Sequence, residues 1–262
     1  MSTERATSFG AEAANYEAGR PDYPFEAVAW MLDPMPHGSR RIADVGAGTG
    51  KLTRVLAQAP DAEVVAVDPD ATMLETLRLS VPGVPTFQGT AERMPLPDAS
   101  LDAVVLGQAW HWVQPAAASA ELGRVVRTGG VLGLIWNIRD ERVEWVRRLT
   151  DIMHSSPAEN MVNGPGSDGP RIEAPFTHVE KQQWEWTRAM SRTKLHQMAL
   201  SRSYLITAPA DERAEITRQM DDLFDELGLE GDSTIDLPYV THAFRAVRAL
   251  SLIHISEPTR LR

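Results

Sequence analysis

Short apolar runs alternate with segments of helical periodicity through the first half of this chain. The apolar runs predict strands over 41–45, 63–67, 84–87, 101–106 and 131–136. Between them the apolar spacing predicts helices over 51–59, 70–80 and 115–126, with Asp70 as the N-cap of the second and Pro115 in the first turn of the third. Strands apolar on both faces, alternating with helices, are typical of a parallel sheet covered on each side.

The second half repeats the pattern more loosely. It predicts helices over 141–154, 192–201 and 209–227 and strands over 177–187 and 233–246. The segment 155–169 is rich in Gly, Pro, Ser and Asn and is predicted to be a loop. We expect residues 138–250 to complete the same sheet and to add helices above it, with no independent second domain.

A glycine-rich turn joins the first strand to the first helix. Asp44 and Val45 are followed by Gly46-Ala47-Gly48-Thr49-Gly50, which would let the backbone approach a bound ligand closely. A dinucleotide fingerprint would require a third glycine at position 51, where Lys51 stands. The turn therefore favours another adenosine cofactor. The structural alternative is a turn that only needs positive φ angles, and three alternating glycines directly after an apolar strand argue against it.

The second predicted strand ends in an acidic residue. Asp68 lies where a carboxylate can accept hydrogen bonds from both hydroxyls of a ribose. A helix N-cap is the structural alternative, but Asp70 fits that position better. Ligands of such sheets bind beyond the carboxyl ends of the strands, so Asp68 and the glycine turn are expected to share one site.

Together these residues resemble the class I S-adenosylmethionine-dependent methyltransferases. The segment from Gly89 to Asp98, the residues Gln108-Ala109-Trp110-His111-Trp112 and the opening from Asn15 to Pro24 resemble the small-molecule branch that includes methyltransferase type 11 and trans-aconitate-type enzymes. The resemblance is strong over residues 9–137. It implies a Rossmann-like, doubly wound, mostly parallel seven-stranded sheet with helices on both faces and added helices that form a substrate lid.

The resemblance also implies roles for individual residues. Residues 41–137 would form the core that binds S-adenosylmethionine, and residues 1–40 a lid and first helix. Within the core, Asp44, Gly46, Ala47 and Gly48 would surround the methionine end of the cofactor. Asp68 would hold its ribose. The remaining cofactor-binding residues implied are Pro69 and Met73 beside the adenine, Ala91 and Glu92 at its polar edge, Gln108, and Arg20. Met73 could equally be helix core, and Thr90 stands where the family often has an acidic residue.

The methyl acceptor is expected near the end of the fourth strand. His111 is the candidate catalytic residue there, as a base for a hydroxyl or as a hydrogen-bond partner of a carboxylate, and a structural role is equally open. Trp110 and Trp112 are candidate pocket walls, although at least one is expected in the core. Tyr16 and Tyr23 in the N-terminal lid are the other substrate-binding candidates, with Arg20 as a clamp for a carboxylate.

Composition narrows the range of functions. The chain of 262 residues carries 26 Lys+Arg against 36 Asp+Glu, a formal net charge of −10, which argues against a general nucleic-acid binder. It contains no cysteine, which excludes disulfides and cysteine-ligated metals. The histidine spacing predicts no metal site. The polar start and the lack of a long apolar run predict a cytoplasmic protein that does not associate with membranes.

Three alternatives stay open at this point. They are an NAD(P)-dependent oxidoreductase, a nucleic-acid methyltransferase and a non-catalytic protein that binds S-adenosylmethionine. Methyl transfer to an oxygen of a small molecule, either a carboxylate or a hydroxyl, is the leading hypothesis.

The stretch 251–262 resembles no other part of the chain, and we expect it to be translated sequencing-adapter sequence that is not part of the fold.

Overall fold

One mixed sheet organises the molecule. The computed structural model describes residues 20–35, 40–164, 166–201, 205 and 208–249. Over these ranges the sheet has seven strands in the order β3-β2-β1-β4-β5-β7-β6, with β7 antiparallel to both neighbours and the other strands parallel. The strands are β1 Arg40–Val45, β2 Ala62–Asp68, β3 Thr86–Gln88, β4 Leu101–Gly107, β5 Val126–Arg139, β6 Phe176–Ser191 and β7 Thr234–Arg248. The predicted doubly wound, mostly parallel sheet is confirmed.

The helices follow the strands in the predicted alternation. Asp70 caps the third of them, because its Oδ1 accepts hydrogen bonds from the backbone N–H groups of Thr72 and Met73. The bounds are α1 Phe25–Leu32, α2 Lys51–Leu56, α3 Ala71–Ser80, α4 Pro115–Val125, α5 Glu144–Met153, α6 Pro157–Asn163, α7 Arg192–Leu200 and α8 Ala210–Glu226, with a 3₁₀ turn over Trp110–Trp112.

Each face of the sheet buries its own apolar cluster. In β4, Val104 and Leu106 face the cluster completed by α4 and α6, whereas Ala103 and Val105 face the cluster completed by α1 and α2. A third cluster joins α5, α7 and α8 to the adjoining ends of β6 and β7. The added helices are therefore packed on the ends of strands that belong to the main sheet.

Two local predictions were wrong. The strand predicted over 131–136 is part of the longer strand β5, which begins at Val126, and its pairing with β4 shifts from Leu101–Val126 to Ala103–Val131. The predicted loop 155–169 contains α6. This helix begins with a capping box in which the Ser156 hydroxyl accepts from the Glu159 N–H and the Glu159 carboxylate accepts from the Ser156 N–H. Pro157 occupies its first turn, so a helix start was present within a loop-like composition.

Candidate active site

A cleft opens at the carboxyl ends of β1, β4 and β5. Residues of the N-terminal segment form one side of it, and the glycine turn after β1 forms the other. Many of the residues predicted to bind the cofactor or substrate line this cleft, namely Arg20, Tyr23, Asp44, Gly46, Ala47, Gly48 and Gln108. Tyr16 and most of the predicted lid over residues 1–40 lie outside the described residues, as does the segment 251–262.

The glycine turn is shaped for close approach of a ligand. Gly46 and Gly48 adopt φ angles of 70° and 55°, which L side chains rarely adopt. A Cβ at Gly46 would lie 2.7 Å from the Ala109 Cβ, whereas a Cβ at Gly48 would meet no atom within 4 Å. The turn thus needs glycine for its backbone, and it leaves open space where a Gly48 side chain would begin.

Asp68 holds the glycine turn in place. Its Oδ2 accepts a 2.8 Å hydrogen bond from the Gly48 N–H, and its Oδ1 accepts a 2.8 Å bond from the Asp70 N–H. Burial raises the pKa of Asp68, and these two hydrogen bonds act in the opposite direction. Each carboxylate oxygen has a second lone pair, so Asp68 can accept two more hydrogen bonds from ligand hydroxyls.

Asp44 is fully buried beneath the same turn. Its Oδ2 accepts a 2.6 Å hydrogen bond from the Thr53 hydroxyl, but its Oδ1 has no hydrogen-bond partner in the protein. Burial raises the pKa of Asp44 to about 7, the Thr53 hydrogen bond lowers it, and the charge of Asp68 raises it further. A buried carboxylate oxygen without a donor, lining a cleft, suits a ligand that brings a cationic group.

The end of β4 brings two further residues to the cleft. Gln108 has a φ of 54°, which is uncommon for a residue other than glycine. Its backbone N–H donates to the Ile135 carbonyl and its Nε2 donates to the Asn137 carbonyl, both at 2.9 Å. Gly107 leaves room for Tyr23, because a Cβ there would lie 2.7 Å from the Tyr23 Oη. The N-terminal segment therefore packs directly on the end of β4.

The 3₁₀ turn after β4 carries the predicted acceptor residues. Trp110 is completely buried in the core and its Nε1 donates a 3.1 Å hydrogen bond to the Arg171 carbonyl, which fits the core alternative. Trp112 is 67% exposed, and its ring lies 4.8 Å from that of His111. The His111 Nδ1 is buried without a hydrogen-bond partner. Burial lowers the pKa of His111 to about 4, with a further contribution from the charge of Arg20.

The residues predicted to contact adenine lie along the ends of β2 and β3. Met73 is half-buried on α3 outside the core clusters, and Pro69 is exposed at the tip of β2. Ala91 is buried, and the Glu92 Oε1 accepts a 2.9 Å hydrogen bond from the Gln114 N–H. These residues border the Asp68 end of the site without lining the cleft around Asp44.

Sequence reasoning missed Asn137, which also lines the cleft. Asn137 stands two residues after Ile135 on β5, and Ile135 pairs with Gly107 at the end of β4. Asn137 follows the apolar run 131–136 directly, so inspection of the residue after each predicted strand would have found it.

In the described part of the chain, no group of three His, Asp or Glu residues is arranged to hold a metal ion. Nor does any helix in those ranges have the length and apolar character to span a bilayer.

The similarity of the chain to known proteins shows its family. Residues 43–134 match the family model described as a methyltransferase domain. The chain is 44% identical over 247 residues to an uncharacterized methyltransferase of Mycobacterium tuberculosis, covering 94% of this chain and 98% of the relative. This chain belongs to the class I S-adenosylmethionine-dependent methyltransferases. The oxidoreductase alternative is therefore set aside.

Two further similarities bear on this methyltransferase. The solved structure of a putative type II methyltransferase from Anaeromyxobacter dehalogenans superposes with a TM-score of 0.58 at 23% identity, covering 87% of this chain and 97% of that one. A malonyl-[acyl-carrier protein] O-methyltransferase of Methylococcus capsulatus is 36% identical over 133 residues, 48% of each chain. The structural similarity supports the fold. The sequence similarity to the Methylococcus capsulatus protein covers only about half of this chain.

Proposed function

We propose that this methyltransferase transfers a methyl group from S-adenosylmethionine to a carboxylate oxygen of a small molecule. When bound, the cofactor supplies an electrophilic methyl group on a positively charged sulfonium. The task of the protein is to hold the acceptor oxygen in line with that methyl group and to exclude water. The observation that carries the choice of a carboxylate is the state of His111 beside the cleft.

The cleft residues fit the proposed cofactor. Asp44 offers a buried carboxylate oxygen without a hydrogen bond, which suits the cationic methionine end of the cofactor. Asp68 retains capacity to accept hydrogen bonds from the two ribose hydroxyls. Met73 is half-buried on α3 and offers a polarizable thioether for the adenine. The open space above Gly48 is the expected path of the cofactor between these groups.

The acceptor class follows from the weak basicity of His111. With a pKa of about 4, its imidazole is neutral at physiological pH and too weak a base to remove a proton from an ordinary hydroxyl efficiently. A carboxylate is already ionised and needs no base. It can accept a hydrogen bond from the neutral imidazole and is attracted by the nearby charge of Arg20, which is close enough to affect the pKa of His111.

One relative supports transfer to oxygen. The protein of Methylococcus capsulatus is named a malonyl-[acyl-carrier protein] O-methyltransferase, and a malonyl group attached through one of its two carboxyl groups retains a free carboxylate. The similarity spans about half of each chain, so it supports the chemistry without identifying the acceptor. The exposed Trp112 beside His111 would give the rim of the acceptor site an aromatic surface.

Two substitutions of His111 test this role. We expect His111→Ala to lower kcat/KM for a carboxylic acid by about tenfold, the effect of one lost hydrogen bond to a charged group. His111→Asn should retain activity within a few-fold, because an amide donates a hydrogen bond but does not accept a proton at this pH. Losses of about 10²–10⁴-fold in both variants would indicate general-base catalysis and a hydroxyl acceptor instead.

The acceptor itself is identified by turnover. Formation of S-adenosylhomocysteine should be measured with matched panels of small carboxylic acids and phenols, with the products checked by mass spectrometry. We expect turnover with members of the acid panel and esters as products. Turnover confined to phenols, or methylation at nitrogen or carbon, would overturn the proposed acceptor class.

A further inference from the structure

A chain of hydrogen bonds crosses the sheet and ends at the cleft. The Trp186 Nε1 on β6 lies 2.8 Å from the Thr241 Oγ1 on β7, which lies 2.7 Å from the Asn137 Oδ1 on β5. The Asn137 Nδ2 lies 3.1 Å from the backbone carbonyl of Asp22 in the N-terminal segment. Thr241 is completely buried and Asn137 nearly so, so these groups depend on one another for hydrogen bonding.

The direction of this chain is fixed at both ends. The indole N–H of Trp186 can only donate, so the Thr241 hydroxyl accepts from it and is left to donate to the Asn137 Oδ1. At the other end, the Asp22 carbonyl can only accept, so it requires the amide nitrogen of Asn137. Both constraints select the same orientation of the Asn137 amide.

The segment that Asn137 contacts is also held from the opposite side. The Asp22 carboxylate lies 3.4 Å from the Lys51 Nζ and 3.7 Å from an Arg54 guanidinium nitrogen, both on α2. These pairs are partly exposed and worth little individually. The hydrogen bond from Asn137 is the better protected anchor, and the segment it holds carries Arg20 and Tyr23 over the glycine turn.

We propose that Asn137 is a positioning residue that fixes the segment 20–23 over the cofactor cleft, with Thr241 and Trp186 setting the orientation of its amide. This inference rests on the proposed function in that the cleft is taken as the cofactor site. Asn137 acts on the reaction through Arg20 and Tyr23, which border the space where cofactor and acceptor would meet. The backbone carbonyl of Asn137 also accepts a hydrogen bond from Gln108, so one residue joins the N-terminal segment to the end of β4.

The most selective variant is Asn137→Asp. It keeps the shape and the acceptor for Thr241 but places an oxygen against the Asp22 carbonyl. We expect faster hydrogen exchange in the peptide that covers residues 20–24 of the ligand-free protein, and at least about tenfold weaker binding of S-adenosylhomocysteine by calorimetry. Substitutions of Thr241 change no charge, so they separate the loss of the anchor from the effect of the added negative charge.

Thr241 provides a matched pair of controls. Thr241→Val keeps the shape and removes the hydroxyl, so it should shift exchange and affinity in the same direction as Asn137→Asp. Thr241→Ser keeps the hydroxyl and should stay within about twofold of the unmodified protein. Unchanged exchange at 20–24 in Asn137→Asp, or equal effects of Val and Ser at position 241, would overturn the inference. If the unmodified protein fails to bind S-adenosylhomocysteine, the proposed cofactor site is wrong, and the exchange data still judge the anchoring of the segment.

Discussion

Replacement of Asp44 by asparagine is expected to stabilise the ligand-free methyltransferase and to weaken its binding of S-adenosylmethionine by about 100-fold. Both effects have one cause, which is the buried negative charge of Asp44, whose Oδ1 lacks a hydrogen-bond partner in the protein. Loss of one charge from a buried, charge-paired contact typically costs about 2–5 kcal/mol of binding free energy. An asparagine side chain retains the acceptor for the Thr53 hydroxyl, so the local packing is preserved.

The stability effect has a defined pH dependence. Because the pKa of Asp44 rises from 3.8 in the unfolded chain to about 7 in the folded protein, the unmodified protein loses stability as the pH rises through that window. The loss reaches up to about 4 kcal/mol near pH 7 and then levels off. The Asp44→Asn variant has no titrating group at this position, so the free energies of unfolding of the two proteins should diverge between about pH 4 and pH 7.

Binding should follow the opposite trend with pH. A cationic ligand favours the ionised form of Asp44, so the affinity of the unmodified protein for S-adenosylmethionine should rise up to about pH 7 and then level off. Asp44→Asn should show a flat profile over the same range. Urea titrations and calorimetry at matched pH values measure both trends. Parallel stability curves for the two proteins, together with unchanged affinity, would show that Asp44 has neither role.

Removal of Glu159 is expected to cost about 3–5 kcal/mol of unfolding free energy. Its carboxylate lies 2.9 Å from the Arg139 guanidinium, and both side chains are almost completely buried. Arg139 also donates a 2.9 Å hydrogen bond to the Thr150 hydroxyl, so the pair joins β5, α5 and α6. Glu159→Ala would remove the carboxylate that lies 2.9 Å from the buried Arg139 guanidinium, and breaking such a buried pair by removing one partner is strongly destabilising.

Two controls separate the ion pair from helix capping. Ser156→Ala removes the capping hydroxyl of α6 but leaves the ion pair, and should cost only about 1 kcal/mol. The double variant Arg139→Met with Glu159→Met removes both charges and should recover much of the loss. Urea denaturation measures all three. A cost for Glu159→Ala no larger than that of Ser156→Ala would contradict this account of the buried pair.

The fold could be predicted from the sequence because its signals are local. The parallel strands are apolar on both faces, and Asp70 and Pro115 mark helix starts where the structure has them. The exception is α6, whose start signal at Ser156 and Glu159 stands among residues typical of loops. The local composition predicts a loop there, whereas the capping motif predicts the start of a helix. The helix is further stabilised by the ion pair of Glu159 with Arg139, a contact that the local sequence does not reveal.

The site could be predicted only in part. The glycine turn and Asp68 belong to one strand–helix–strand unit, so their meeting follows from chain order. The contacts of Asn137 with Thr241 and Asp22 depend on the register of β5 with β7 and on the path of the N-terminal segment, which no local pattern encodes. Trp110 and Trp112 are two residues apart, and only the 3₁₀ turn determines which one is buried.

We infer that the cleft between the glycine turn and the segment 20–23 binds S-adenosylmethionine through Asp44 and Asp68. A crystal structure of the protein with S-adenosylhomocysteine tests it most directly. We expect the ribose hydroxyls to contact the Asp68 carboxylate and the amino-acid end of the ligand to lie beside Asp44 and Gly46. A ligand bound elsewhere, or bound in this cleft without contact to either carboxylate, would contradict it.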